Sequence, residues 1–99
     1  MAKRKQPTEE ITIKYRRLGK EKAYGMADHT TSTIEIDSRI NGKKHLEILT
    51  HESCHILLPE MNEEGIIRLS TALTRILWDQ GYRRVDNRDL IPLQDEHSK

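Results

Sequence analysis

The stretch KKHLEILTHESCHILLP, Lys43–Pro59, decides how this chain folds. Upstream of it, apolar and polar residues alternate with a period of two. Inside it, the spacing becomes helical. At about 100° per residue, Leu46, Leu49, Ser53, Ile56 and Leu57 gather on one side of a wheel. His51 and His55 lie on the other side, roughly 40° apart and one turn from each other. Pro59 closes the run, because the residue before a proline avoids the helical region. The spacing predicts a helix over about 43–58 that turns its apolar side to a core and presents two imidazoles opposite.

Working outward, Ile11, Ile13 and Tyr15 alternate with Thr12, Lys14 and Arg16, the pattern of a half-buried strand. AYGMA reads as a short strand and DHTTS as turn chemistry. Ile34 and Ile36 alternate with Thr33, Glu35 and Asp37 in a further strand, so a hairpin of 23–27 with 33–37 is expected. Downstream, Asn62 is a helix N-cap by type. Ile66, Leu69, Leu73, Ile76 and Leu77 form one apolar stripe, and Gly81 is a stop. Residues 1–10 read as a flexible basic arm, 11–82 as one domain and 83–99 as an irregular tail. The fold class is α+β: a small antiparallel sheet of about three strands, then two packed helices. Ninety-nine residues bury one modest core, so any active site is an open cleft on one small body.

Within the predicted helix, His51, Glu52 and His55 make H-E-x-x-H. Imidazoles at i and i+4 can aim at one ion, with Zn–N distances of about 2.0–2.1 Å. Glu52 is rotated away from the ligand positions, within reach of a water on that ion. Two ligands and a general base on one helix are what a zinc hydrolase needs. A third ligand is sought where the chain turns back after Pro59. Glu63 lies at the edge of the second helix's buried stripe and is favoured, and Glu64 is the runner-up. Both also suit the helix dipole without any metal. Cys54 reads as a small buried side chain, or else as a fourth ligand that would close the site. His29 and His97 read as solvated, and Trp78 and Tyr82 as packing residues.

Net charge is +1, so the chain as a whole has no strong field. Basic residues crowd the first quarter, from Lys3 to Lys22. A solvated arm accounts for them. Contact with nucleic acid through this arm is the weaker alternative, because no aromatic residues interleave with the charges. No apolar run approaches the ~20 residues of a membrane span, and the N-terminus lacks the apolar centre of a secretory signal. One cysteine cannot form an internal disulfide. These features lead to the expectation of a reducing, cytoplasmic setting with no membrane partner.

LTHESCHILLP, with Glu63 and Glu64 opening the next helix, resembles the zincin metallopeptidases. A glutamate as third ligand looks like a minimal form of the gluzincin branch. Residues 23–81 also look like the short HExxH proteins encoded by phages and prophages. The strand TIEID is similar to the strand that lines zincin substrate clefts. The resemblance implies one zinc ion on His51 and His55, with Glu52 as general base and proton shuttle. It implies hydrolysis of a peptide or protein laid along strand 33–37 by addition to a sheet edge. Tyr24, Tyr82 and His45 are candidate oxyanion donors by residue type alone. The chain departs from the metzincin pattern at Met61, and it has no room for a cleft-closing subdomain. The alternative reading is a zinc-stabilised binding module without turnover, since a small chain gains much from a structural metal.

Overall fold

Ile34 and Ile36 are completely buried on the middle strand of a three-stranded sheet. A computed structural model of the chain describes residues 10–19 and 24–85. The elements run β1 (Thr12–Arg16), β2 (Gly25–Asp28), β3 (Thr33–Asp37), α1 (Gly42–Leu57) and α2 (Glu63–Asp79). The arm over 1–9, Lys20, Lys22, His97 and the tail from residue 86 lie outside the described residues.

This is the expected α+β layout of three strands followed by two helices, with one difference in the sheet. β2 and β3 form the expected antiparallel hairpin, pairing Ala27 with Ile34 and Gly25 with Ile36. β1 joins the other edge of β3 in parallel, pairing Ile13 with Ile34 and Tyr15 with Ile36. The sheet is therefore mixed, in the order β1-β3-β2. The reason lies in the connection. After β1 the chain buries Leu18, whose backbone N–H donates to Asp37 Oδ2 at 3.2 Å. It then returns through β2, so that β3 runs alongside β1. Alternation along a strand is the same for either direction, which is why it could not reveal this.

Asp37 locks the end of β3. It is 1% exposed and accepts from Arg39 Nε at 2.9 Å, Arg39 Nη2 at 2.7 Å and the Arg39 backbone N–H at 2.9 Å. The Arg39 side chain, then the backbone donors, hold its carboxyl well below the usual carboxylate range, against the opposing effect of burial. This fixes the turn that launches α1.

α1 is held on two sides. Toward the sheet, Ile48 and Glu52 lie against Gly25, and His45 Nε2 lies 3.0 Å from the Tyr15 hydroxyl. Toward α2, Thr50 donates to the Glu47 carbonyl and accepts from Thr74 Oγ1 at 3.0 Å. Its buried residues are His45, Glu52 and Cys54. The side expected to face a core, Leu46, Leu49, Ser53, Ile56 and Leu57, is only half-buried.

α2 begins at Asn62, whose Oδ1 accepts from the Gly65 N–H at 2.8 Å, and ends before Gly81 at φ +93°. Its docking face also differs from the expected stripe. Ile66, Ser70 and Thr74 are buried, whereas Leu73 and Ile76 are 36% and 56% exposed. The helix is rolled by roughly 60° from its most apolar face. Hydrogen bonding of Thr74 to Thr50 and the contact of Ser70 with His51 favour that roll. No helix among the described residues is long and apolar enough to cross a membrane.

Candidate metal centre

The i, i+4 spacing on α1 stacks the His51 and His55 rings edge to face, 4.9 Å between centroids. Their Nε2 atoms are 3.2 Å apart. Asn62 caps α2 directly before Glu63, and the helix start aims that carboxylate back at the same point. Glu63 Oε2 is 3.3 Å from His51 Nε2, and Oε1 is 3.2 Å from His55 Nε2. His51, His55 and Glu63 thus form a group that could hold a metal ion.

The triangle can be tested against coordination geometry. Ligand atoms about 2.0–2.1 Å from a tetrahedral centre are roughly 3.3 Å from one another. The His51–His55 separation matches that edge, and each imidazole nitrogen is at the same distance from a Glu63 oxygen, Oε2 for His51 and Oε1 for His55. A bare surface ion pair does not require two imidazole nitrogens to face each other as well as the carboxylate, and gains little in water. Glu63 is 60% exposed, so the group opens to solvent on the α2 side.

Two neighbours orient the histidines, and neither is evident from the sequence. Ser70, buried on α2, has Oγ 3.5 Å from His51 Nδ1 and donates to the Ile67 carbonyl. Its oxygen is therefore free to accept a hydrogen bond from Nδ1–H, and in that tautomer the Nε2 lone pair faces the cluster. His29, expected to be merely solvated, has Nε2 2.6 Å from the His55 carbonyl. It ties the β2–β3 turn to the last turn of α1.

Glu52 lies on the sheet side of α1 and is buried beside Gly25. Burial pushes its carboxyl above the ordinary range; His55 works against that shift and Glu63 adds to it. It accepts no hydrogen bond among the described residues, yet no fully enclosed side-chain oxygen lacks a partner. Its carboxylate is therefore not fully enclosed, and it is near enough to His55 and Glu63 to feel their charges.

The remaining candidates sit elsewhere. Glu64 is exposed and outside the cluster. Cys54 is buried, with its thiol pushed up by burial, and it too is outside the cluster. His45 is engaged by Tyr15, and burial, then Arg84, lower its pKa. Tyr82 and His45 line a groove at the first turn of α1 and the end of α2, away from the triad. Tyr24 carries Lys44 over its ring, also at that first turn.

Comparison of the chain with protein families, with curated proteins and with solved structures returns no match.

Proposed function

We propose that the chain is a zinc-dependent metallopeptidase of the HExxH type, with His51, His55 and Glu63 as ligands and Glu52 as general base. The observation that carries this reading is the convergence of two imidazole nitrogens, 3.2 Å apart, on one carboxylate whose two oxygens lie 3.3 and 3.2 Å from them. A set of two nitrogens and one oxygen suits zinc, and three protein ligands leave a position open, as catalytic sites do. When bound, zinc supplies Lewis acidity and a water acidic enough to serve as nucleophile near neutral pH. Glu52 takes up the proton released there and returns it to the leaving amine. Its buried setting raises its proton affinity, which favours the uptake step. A cytoplasmic setting suits a reduced, buried Cys54.

The expected substrate position needs correction. β3 (33–37) is the central strand, bonded on both sides, so no peptide can add to it. The edge beside Glu52 is β2, through Gly25, and an extended peptide in this proposal adds there.

A second reading, a zinc-stabilised module without turnover, draws on the polar docking face of α2. A metal that joins Glu63 to the α1 histidines would contribute folding free energy directly. One experiment separates the two. Metal analysis and peptide hydrolysis are measured on wild type and Glu52→Gln. Retained zinc with lost hydrolysis in Glu52→Gln supports the peptidase. A zinc-loaded wild type that cleaves no peptide and unfolds on chelation supports the module.

A further inference from the structure

The chain has three tyrosines, one tryptophan and no phenylalanine. None of these rings is in the core, which consists of Leu18, Ile34, Ile36, Cys54 and Ile66. Aromatic side chains usually dominate cores, because each buries a large area. Here all four surround the first turn of α1 instead. Tyr15 stacks on His45, with 5.9 Å between centroids. Trp78 and Tyr82 share with Gly42 and His45 a groove of about 250 Å³. Tyr24 is outside that groove but at the same turn, its ring centre 5.3 Å from Lys44 Nζ.

Cations accompany the rings. Arg83 lies 3.5 Å from the Trp78 ring centre and Arg84 4.6 Å from that of Tyr15, alongside the Lys44–Tyr24 pair. Arg39 is close enough to Tyr24 to interact with it electrostatically, and Lys43 is exposed in the helix's first turn. That turn contains no acidic residue. Glu47, 4.0 Å from Lys44, Asp37, buried against Arg39, and Asp79, exposed beside Trp78 at the end of α2, offset part of the charge of these five cations.

We propose that this end of the molecule binds single-stranded nucleic acid, with cations on phosphates and rings on bases. Packing does not account for the rings, since Tyr24 and Tyr82 are 54% and 63% exposed. Tyrosine, tryptophan and arginine also make protein–protein hot spots. The unbalanced positive charge is what selects a polyanion here. The interleaving of rings and cations is a product of folding, because positions 15, 24, 78 and 82 are far apart in the chain. The surface is at the opposite end of both helices from the triad, so it does not rest on the metal centre.

The test is fluorescence polarisation of labelled oligo-dT and oligo-U on the full chain, with duplex DNA and a poly-glutamate peptide as competitors. The expected result is binding that weakens roughly 20- to 100-fold between 50 and 200 mM salt, as for three to five phosphate contacts. Tyr82→Ala and Tyr24→Ala, both at exposed positions that the fold tolerates, each weaken it by roughly 5- to 100-fold. Lys43→Ser lowers the salt slope. The oligo-dT and oligo-U arms tell DNA from RNA as the source. No binding at 50 mM salt overturns the proposal. So does binding indifferent to the tyrosines, which would mean phosphate contact alone, and so does equal competition by poly-glutamate, which would mean an acidic protein partner.

Discussion

A methyl group at position 25 would meet Ile48 Cγ2 at 2.5 Å and Glu52 Cγ at 3.2 Å. Glycine there lets α1 lie close on the sheet and sets Glu52 beside the β2 edge. Gly25→Ala is expected to destabilise the fold by about 1–3 kcal/mol, as overpacking does, and chemical denaturation measures it. Asp37 gives a pH-dependent case. Its folded pKa lies below its unfolded one, so its contribution is complete above about pH 4 and fades as the pH falls toward the folded value. Asp37→Asn should thus cost most near neutrality and progressively less in acid. An urea-midpoint difference that stays constant with pH would rule this out. At the triad, Glu63→Gln should weaken zinc binding by more than the roughly 10- to 100-fold that losing a supporting hydrogen bond costs. Glu64→Gln should leave it unchanged, as read by chelator competition. The meeting of His51 with His55 was legible because i, i+4 geometry is local, and that of Glu63 with both because one short turn separates the helices. His29 and Ser70 were not, because their partners are 26 and 19 residues away.

The second helix illustrates what hydrophobic periodicity can and cannot convey. The stripe through Leu69, Leu73 and Ile76 correctly marked a helix, and Asn62 and Gly81 its ends. With Ile66 it pointed to part of the docking face, which is rolled toward Ser70 and Thr74, because the period reports apolar surface and not where a neighbouring helix offers a hydrogen-bond partner. Thr50 and His51 offer those partners, so Ser70 and Thr74 turn inward. Ile76→Lys should therefore cost less than about 0.5 kcal/mol, as exposed sites do. Thr74→Lys should cost several times more, since it buries a charge without a partner. Comparable thermal melts for the two variants would contradict the observed roll. The parallel placement of β1 was hidden for a related reason: it depends on the path past Leu18, which strand alternation does not encode.

For the molecule as a whole, a metal held by residues of both helices would make metal binding and stability interdependent. Zinc at a hundred times its dissociation constant should add about 2.7 kcal/mol, which is roughly 10–20 °C in Tm for a domain of this size. A melt insensitive to chelator would mean that the triad holds no metal. The gathering of every aromatic ring around one helix turn has an optical consequence. Trp78 lies fifteen residues beyond Glu63 on the same helix, roughly 20 Å away. Intrinsic fluorescence is therefore a one-ended reporter. In the folded chain it should stay silent when the histidines are titrated with metal, and respond when anything seats against Tyr82 and Arg84. The two ends of this small chain can be watched separately without attaching a dye.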